Sequence, residues 1–75
     1  MIMYKQTKTI EGQIRNDQIQ RVADGAYIPF DPANTDAQQF AKWLKEGNVP
    51  EPTVEGEQVT QEWINQTIAL LLPNG

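Results

Sequence analysis

The side chains in this sequence that could do chemistry are carboxylates, hydroxyls and a few aromatic rings. Asp31, Asp36, Glu51, Glu55 and Glu57 are oxygen donors of the sort that hold a hard cation such as calcium, and Asp31 with Asp36 is a pair that could divide acid and base work. Thr35 and Thr60 carry hydroxyls that a neighbouring base could turn into nucleophiles. Phe40, Trp43 and Trp63 offer ring faces on which a sugar or a nucleobase could stack. Each has a simpler reading. The carboxylates lack the regular spacing of a calcium loop and read as helix caps and solvated charges. No nucleophile stands near the two aspartates, and so short a chain forms few pockets. The threonines fall where helices should begin and read as caps, while the rings recur at helical spacing beside aliphatic residues and read as core. The sequence has no His and no Cys, which removes imidazole bases and ligands, thiolate zinc sites and disulfides together. A phosphate-cradling glycine loop is also missing. The expectation is a non-enzymatic protein with no metal and no cofactor.

The elements that position these residues are short. From Ile2 to Ile10, the set Ile2, Tyr4, Gln6 and Lys8 alternates with Met3, Lys5, Thr7 and Thr9, which predicts a half-exposed strand. Gly12 and Arg15-Asn16-Asp17 predict a turn or short loop after it. Gln18–Ala23 and Ala26–Phe30 then flank Asp24-Gly25. That dipeptide signals a hairpin closed by a two-residue type I′ turn, both of whose central residues take positive φ. Pro29 cannot donate to a ladder, so its strand should lie at a sheet edge or stop there.

Past Asp31-Pro32 a helix is predicted over residues 35–47. Thr35 is the expected cap, with Gln38 returning a hydrogen bond three residues later, and Asp36 sits at the positive end of the helix dipole. Ala37, Phe40, Ala41, Trp43 and Leu44 form its buried stripe. Gly47 should close it in a left-handed conformation, with Val49 folding back on the last turn and Pro50 and Pro52 preventing continuation. Residues 51–58 read as a polar linker. A second helix is predicted over 59–72, with Val59, Trp63, Ile64, Ile68, Leu71 and Leu72 at spacings of three and four, ended by Pro73-Asn74-Gly75. The unbroken apolar run from Ile68 to Leu72 looks like more oily surface than one small sheet can cover. Trp63, Ile64, Ile68, Leu71 and Leu72 are therefore the candidates for a contact with another protein. The residues expected to shape the fold are Asp24, Gly25, Pro32, Thr35, Phe40, Trp43, Leu44 and Gly47. Together these elements predict one α+β domain over residues 1–75. Its β-rich part, 1–30, forms a small antiparallel hairpin or three-stranded sheet, packed by one capped helix and followed by a second, C-terminal helix.

Composition narrows the function further. A chain of 75 residues with 39% hydrophobic side chains is globular but buries only about 60% of its unfolded surface, so oligomerisation is the expected brace. Six basic residues stand against ten acidic ones, a net charge of -4, and the cations are scattered, which argues against nucleic acid. Neither a signal peptide nor a membrane span is readable, so a cytosolic origin and no membrane partner are expected.

The run GAYIPFDPANTDAQQFAKWLKEGNVPEP, residues 25–52, resembles a segment of small tail-associated proteins of tailed bacteriophages and prophages, including pieces of tail fibres and tail-fibre assembly proteins. There, a pattern of the kind IPxDPxNxDxQxxxxWLxxGNxPxP follows a short hairpin. The matching residues are Ile28, Pro29, Asp31, Pro32, Asn34, Asp36, Gln38, Trp43, Leu44, Gly47, Asn48, Pro50 and Pro52, over about a third of the chain. This chain departs in having Ala37 where an aromatic residue is frequent, with Phe30 a possible substitute, and in adding the helix after residue 58. The resemblance implies a structural or assembly module of a virion tail that binds itself or another tail protein, as a homo-oligomer or within a larger assembly. It would be found in the virion or the host cytoplasm. The alternative is a small phage-encoded regulator that binds a host protein.

Overall fold

Tyr4 and Gln6 point one way from the first strand, and Ile19 and Ile28 point the same way from the next two, so the period of two builds a sheet with one buried face. The computed structural model describes residues 3–54 and 56–72. Its elements are β1 (Tyr4–Lys5), β2 (Gln18–Arg21), β3 (Tyr27–Pro29), α1 (Thr35–Lys45) and α2 (Gln61–Leu71). The three strands form one antiparallel sheet in the order β1-β2-β3. Tyr4 faces Arg21, Lys5 faces Gln20, Ile19 faces Ile28 and Gln18 faces Pro29. The fold is α+β, a three-stranded antiparallel sheet with two helices. Pro29 closes β3, an edge strand, as its missing N–H requires.

The first strand is shorter than its alternation suggests. Regular pairing stops at Lys5, and an isolated bridge joins Lys8 to Ile14. Between them the chain reverses. Gly12 N–H donates to Thr9 O at 3.0 Å, Thr9 N–H donates to Gln13 O at 2.8 Å, and the Thr9 hydroxyl accepts from Glu11 and Gln13 N–H. Ile10 stands fully exposed at this tip. Ile2 lies outside the described residues.

The hairpin turn falls at Asp24-Gly25 but is not a two-residue type I′ turn. Arg21 N–H donates to Ala26 O and Gly25 N–H donates to Arg21 O, both at 2.8 Å, which leaves a four-residue loop, 22–25. Only Gly25, at φ +71°, is left-handed; Asp24 is not. The cause is the Asp24 side chain. It accepts from Ala26 N–H at 3.1 Å and takes a two-pronged contact from the Arg21 guanidinium at 2.8 and 3.1 Å. Such local satisfaction suits a right-handed turn finished by glycine.

Helix α1 begins one residue earlier than the T-x-x-Q pattern implies. Its N-cap is Asn34, whose Oδ1 accepts from Ala37 N–H at 3.1 Å, and Thr35 is the first helical residue. Asp31 sets this up. Its carbonyl accepts from Asn34 N–H and its carboxylate from Ala33 N–H, both at 2.9 Å. The Gln38 amide reaches past the cap to Pro32 O at 2.6 Å. At the far end Gly47, φ +98°, donates to Leu44 O, and the Asn48 side chain donates to Trp43 O at 2.8 Å, so the last carbonyls are satisfied. Val49 is exposed instead of folding back; Pro50 is the buried residue after the stop.

Ala37, Phe40, Ala41 and Leu44 of α1 are buried with Tyr4, Ile19 and Ile28 of the sheet. Phe40 is the hub. Its ring lies 4.7 Å from Tyr4, 5.9 Å from Phe30, 6.0 Å from Trp43 and 6.3 Å from Trp63. Phe30 stacks on the Phe40 ring. Glu51, expected at the start of a linker, instead joins the free side of β1: Glu51 N–H donates to Tyr4 O at 2.8 Å and Gln6 N–H to Glu51 O at 2.9 Å. Thr60 then caps α2 by accepting from Trp63 N–H at 3.1 Å, and α2 packs against α1. The expected stop at Pro73-Asn74-Gly75 lies outside the described residues.

Candidate protein-interaction surface

The five residues expected to meet a partner turn inward. Ile64 is 4% exposed and Leu71 1%, while Trp63, Ile68 and Leu72 are partly buried against the same core. Ile64 and Leu71 are thereby closed to a partner, whereas Trp63, Ile68 and Leu72 keep part of their surface open. The reason is that α2 packs on α1, with the Trp63 ring 6.1 Å from Phe30 and 6.3 Å from Phe40, and with Ile64 and Leu71 in the core that α1 shares with the sheet. The chain exposes 4923 Å², close to the about 4,700 Å² expected of a folded chain of its mass. Of the terminal leucines only Leu70, 46% exposed, turns outward.

The residues singled out for chemistry are separated and occupied. Asp31 serves the turn before α1. Asp36 lies 3.6 Å from Arg21, which also holds Asp24 at 2.8 Å. Glu57 pairs with Lys8 at 3.6 Å, and Glu55 lies outside the described residues. Among the described residues no three His, Cys, Asp or Glu side chains converge on a metal position. Thr60 is a cap, and Phe40, Trp43 and Trp63 are core rings. The Arg21 hydrogen bonds, helped by the Ala26 N–H, lower the Asp24 carboxyl to about 2. The hydrogen bond from Arg15 holds the Asp17 carboxyl below its ordinary value. Burial raises the Tyr4 phenol, against the pull of Arg21. The two carboxyl shifts come from ion pairs within the strand and turn region, and the Tyr4 shift comes from its burial.

Two of the hollows among the described residues bear on binding. One, about 340 Å³, lies beside β1 and is lined by Lys5, Glu51, Pro52, Thr53 and Gly56. The other, about 150 Å³, runs between α2 and the loop before β2, lined by Asn16, Trp63, Gln66, Thr67 and Leu70. It is smaller than the about 300 Å³ at which small-molecule sites begin. Its walls are held in place by hydrogen bonds. Trp63 Nε1 donates to Arg15 O at 3.3 Å, bringing the loop against the helix, and the Thr67 hydroxyl donates to Trp63 O at 2.8 Å. Gln66 Nε2 donates to Glu62 Oε1 at 3.2 Å, fixing the rim. The turn residue Asn16 and the outward position of Leu70 are each visible in sequence. Their meeting depends on the Arg15–Trp63 bond across 48 residues, which leaves no local trace. No protein-family model, curated protein or solved structure matches the chain.

Proposed function

We propose that this chain is a non-enzymatic structural or assembly module of a tailed bacteriophage, acting in the virion or the host cytoplasm by binding another tail protein. The observation that carries the reading is how the tail-like string is used. Ile28 and Leu44 are core, Pro29 ends the edge strand, Asp31 and Asn34 form the turn and cap, and Pro32 receives Gln38. Asp36 pairs with Arg21, Gly47 closes α1, and Asn48 covers its last carbonyls. A string whose residues are occupied in this way is a scaffold, and it leaves recognition to the surfaces outside it: the tip bearing Ile10 and Ile14, and the outward side of α2 with Leu70. Side-chain recognition at such surfaces needs no reactive group.

The test is cross-linking with mass spectrometry on purified phage particles and on lysates of cells in which they assemble. Cross-links from Lys8, beside the tip, to a tail protein are expected. A chain absent from particles and tail intermediates but cross-linked to a host protein would overturn the reading in favour of the regulator.

A further inference from the structure

Resting on the reading above, we infer that the hollow beside α2 receives one apolar side chain carried on a basic segment of the partner protein. Size is the first argument. The hollow holds about 150 Å³, room for one group of benzene size, with Trp63 and Leu70 as its apolar lining and Asn16, Gln66 and Thr67 as its polar lining, and it is open to solvent. It takes one side chain and excludes a cofactor.

Charge is the second argument. Both arginines are held by the chain's own carboxylates, Arg15 by Asp17 and Arg21 by Asp24 and Asp36. Glu62 has no cation beside it among the described residues, and its carboxylate is held at the rim by Gln66, which lines the hollow. Glu11, next to Ile10 on the tip, also has no cationic partner there. Apolar lining from Trp63 and Leu70, with the uncompensated Glu62 carboxylate bonded to the lining residue Gln66, complements a segment in which lysine or arginine flanks an aliphatic or aromatic residue. A second copy fits worse, because it brings the same net charge of -4.

The experiment is NMR titration of the full ¹⁵N-labelled chain with three synthetic peptides. The first has four lysines around a leucine, the second four lysines around a serine, and the third four glutamates around a leucine. The lysine–leucine peptide is expected to shift the Trp63 indole N–H and the Gln66 side-chain amide, with the Trp43 indole as internal control. Replacing leucine by serine should weaken binding about tenfold or more. Glu62→Gln should weaken it about two- to fivefold, and added salt should act in the same direction. The inference is overturned if those nuclei do not move, if the glutamate peptide moves them equally, or if they move with protein concentration alone, which would make the occupant a second copy. A tail protein cross-linked only at another surface would leave the binding function standing and remove this inference.

Discussion

The stretch from Asp24 to Pro52 and the helix that follows it are built on different logics. In the first, nearly every unusual residue acts within a few positions of itself. Asp24 and Gly25 shape the loop, Asp31 and Asn34 start α1, and Gly47 and Asn48 end it. In α2 only the cap is local. What decides the helix's place is Trp63 donating to Arg15 O, its ring 6.3 Å from Phe40, and Ile64 and Leu71 in a core shared with α1 and the sheet. The difference teaches that punctuation reports where an element starts and stops, whereas the fate of an apolar face depends on what the rest of the chain brings to it.

The sharpest way to break this comparison is at the shared hub. Phe40→Ala removes a fully buried ring that touches the sheet and, through Trp63, α2. The expected loss is about 3–5 kcal/mol. A domain this small has only about 3–5 kcal/mol to lose, so circular dichroism should report a largely unfolded chain at 25 °C.

Next comes a pair on α2. Leu71→Ala should lower the urea-unfolding free energy by about 2–5 kcal/mol, and its neighbour Leu70→Ala by no more than about 0.5 kcal/mol. Equal effects would mean that α2 is not seated as described.

How far each region was legible follows from the same contrast. The α+β class, the hairpin position, the Pro29 edge, the α1 stop at Gly47 and the Thr60 cap were all readable, because each rests on residue types acting locally. The type of the hairpin turn was not, since Asp24 could be left-handed or hydrogen-bonded, and Arg21 decides which. The cap of α1 was misplaced by one residue because Asn34 and Thr35 are both good caps, and the Asp31 turn chooses between them. That Ile64 and Leu71 would be closed off inside the core was not readable, for the reason that governs α2. Counting consecutive apolar residues measures how much there is to bury and says nothing of what is available to cover it.

A smaller effect tests the cap directly. Asn34→Ala should cost about 1 kcal/mol, while Thr35→Ala, at an exposed first-turn position, should stay within about 0.5 kcal/mol. Thermal unfolding of the two variants in parallel reads the difference.

The smallest effect is the acid limb of the local region. The Asp24 carboxyl is lowered from 3.8 to about 2. A lowered folded value means the contribution is complete above 3.8 and lost as the pH falls through about 2. Carboxyl ¹³C shifts followed by NMR should therefore give Asp24 a midpoint near 2 in the folded chain. In Arg21→Gln it should move back towards the ordinary value.

The placement of α2 within its own chain is tested most directly by isotope-filtered NOE spectroscopy on a mixture of ¹³C-labelled and unlabelled protein. Contacts between the rings of Trp63 and Phe40 should arise inside the labelled chain, with none between labelled and unlabelled chains. Strong Trp63–Phe40 contacts across chains would mean that α2 is buried by a neighbour and that the oily end needs a companion after all.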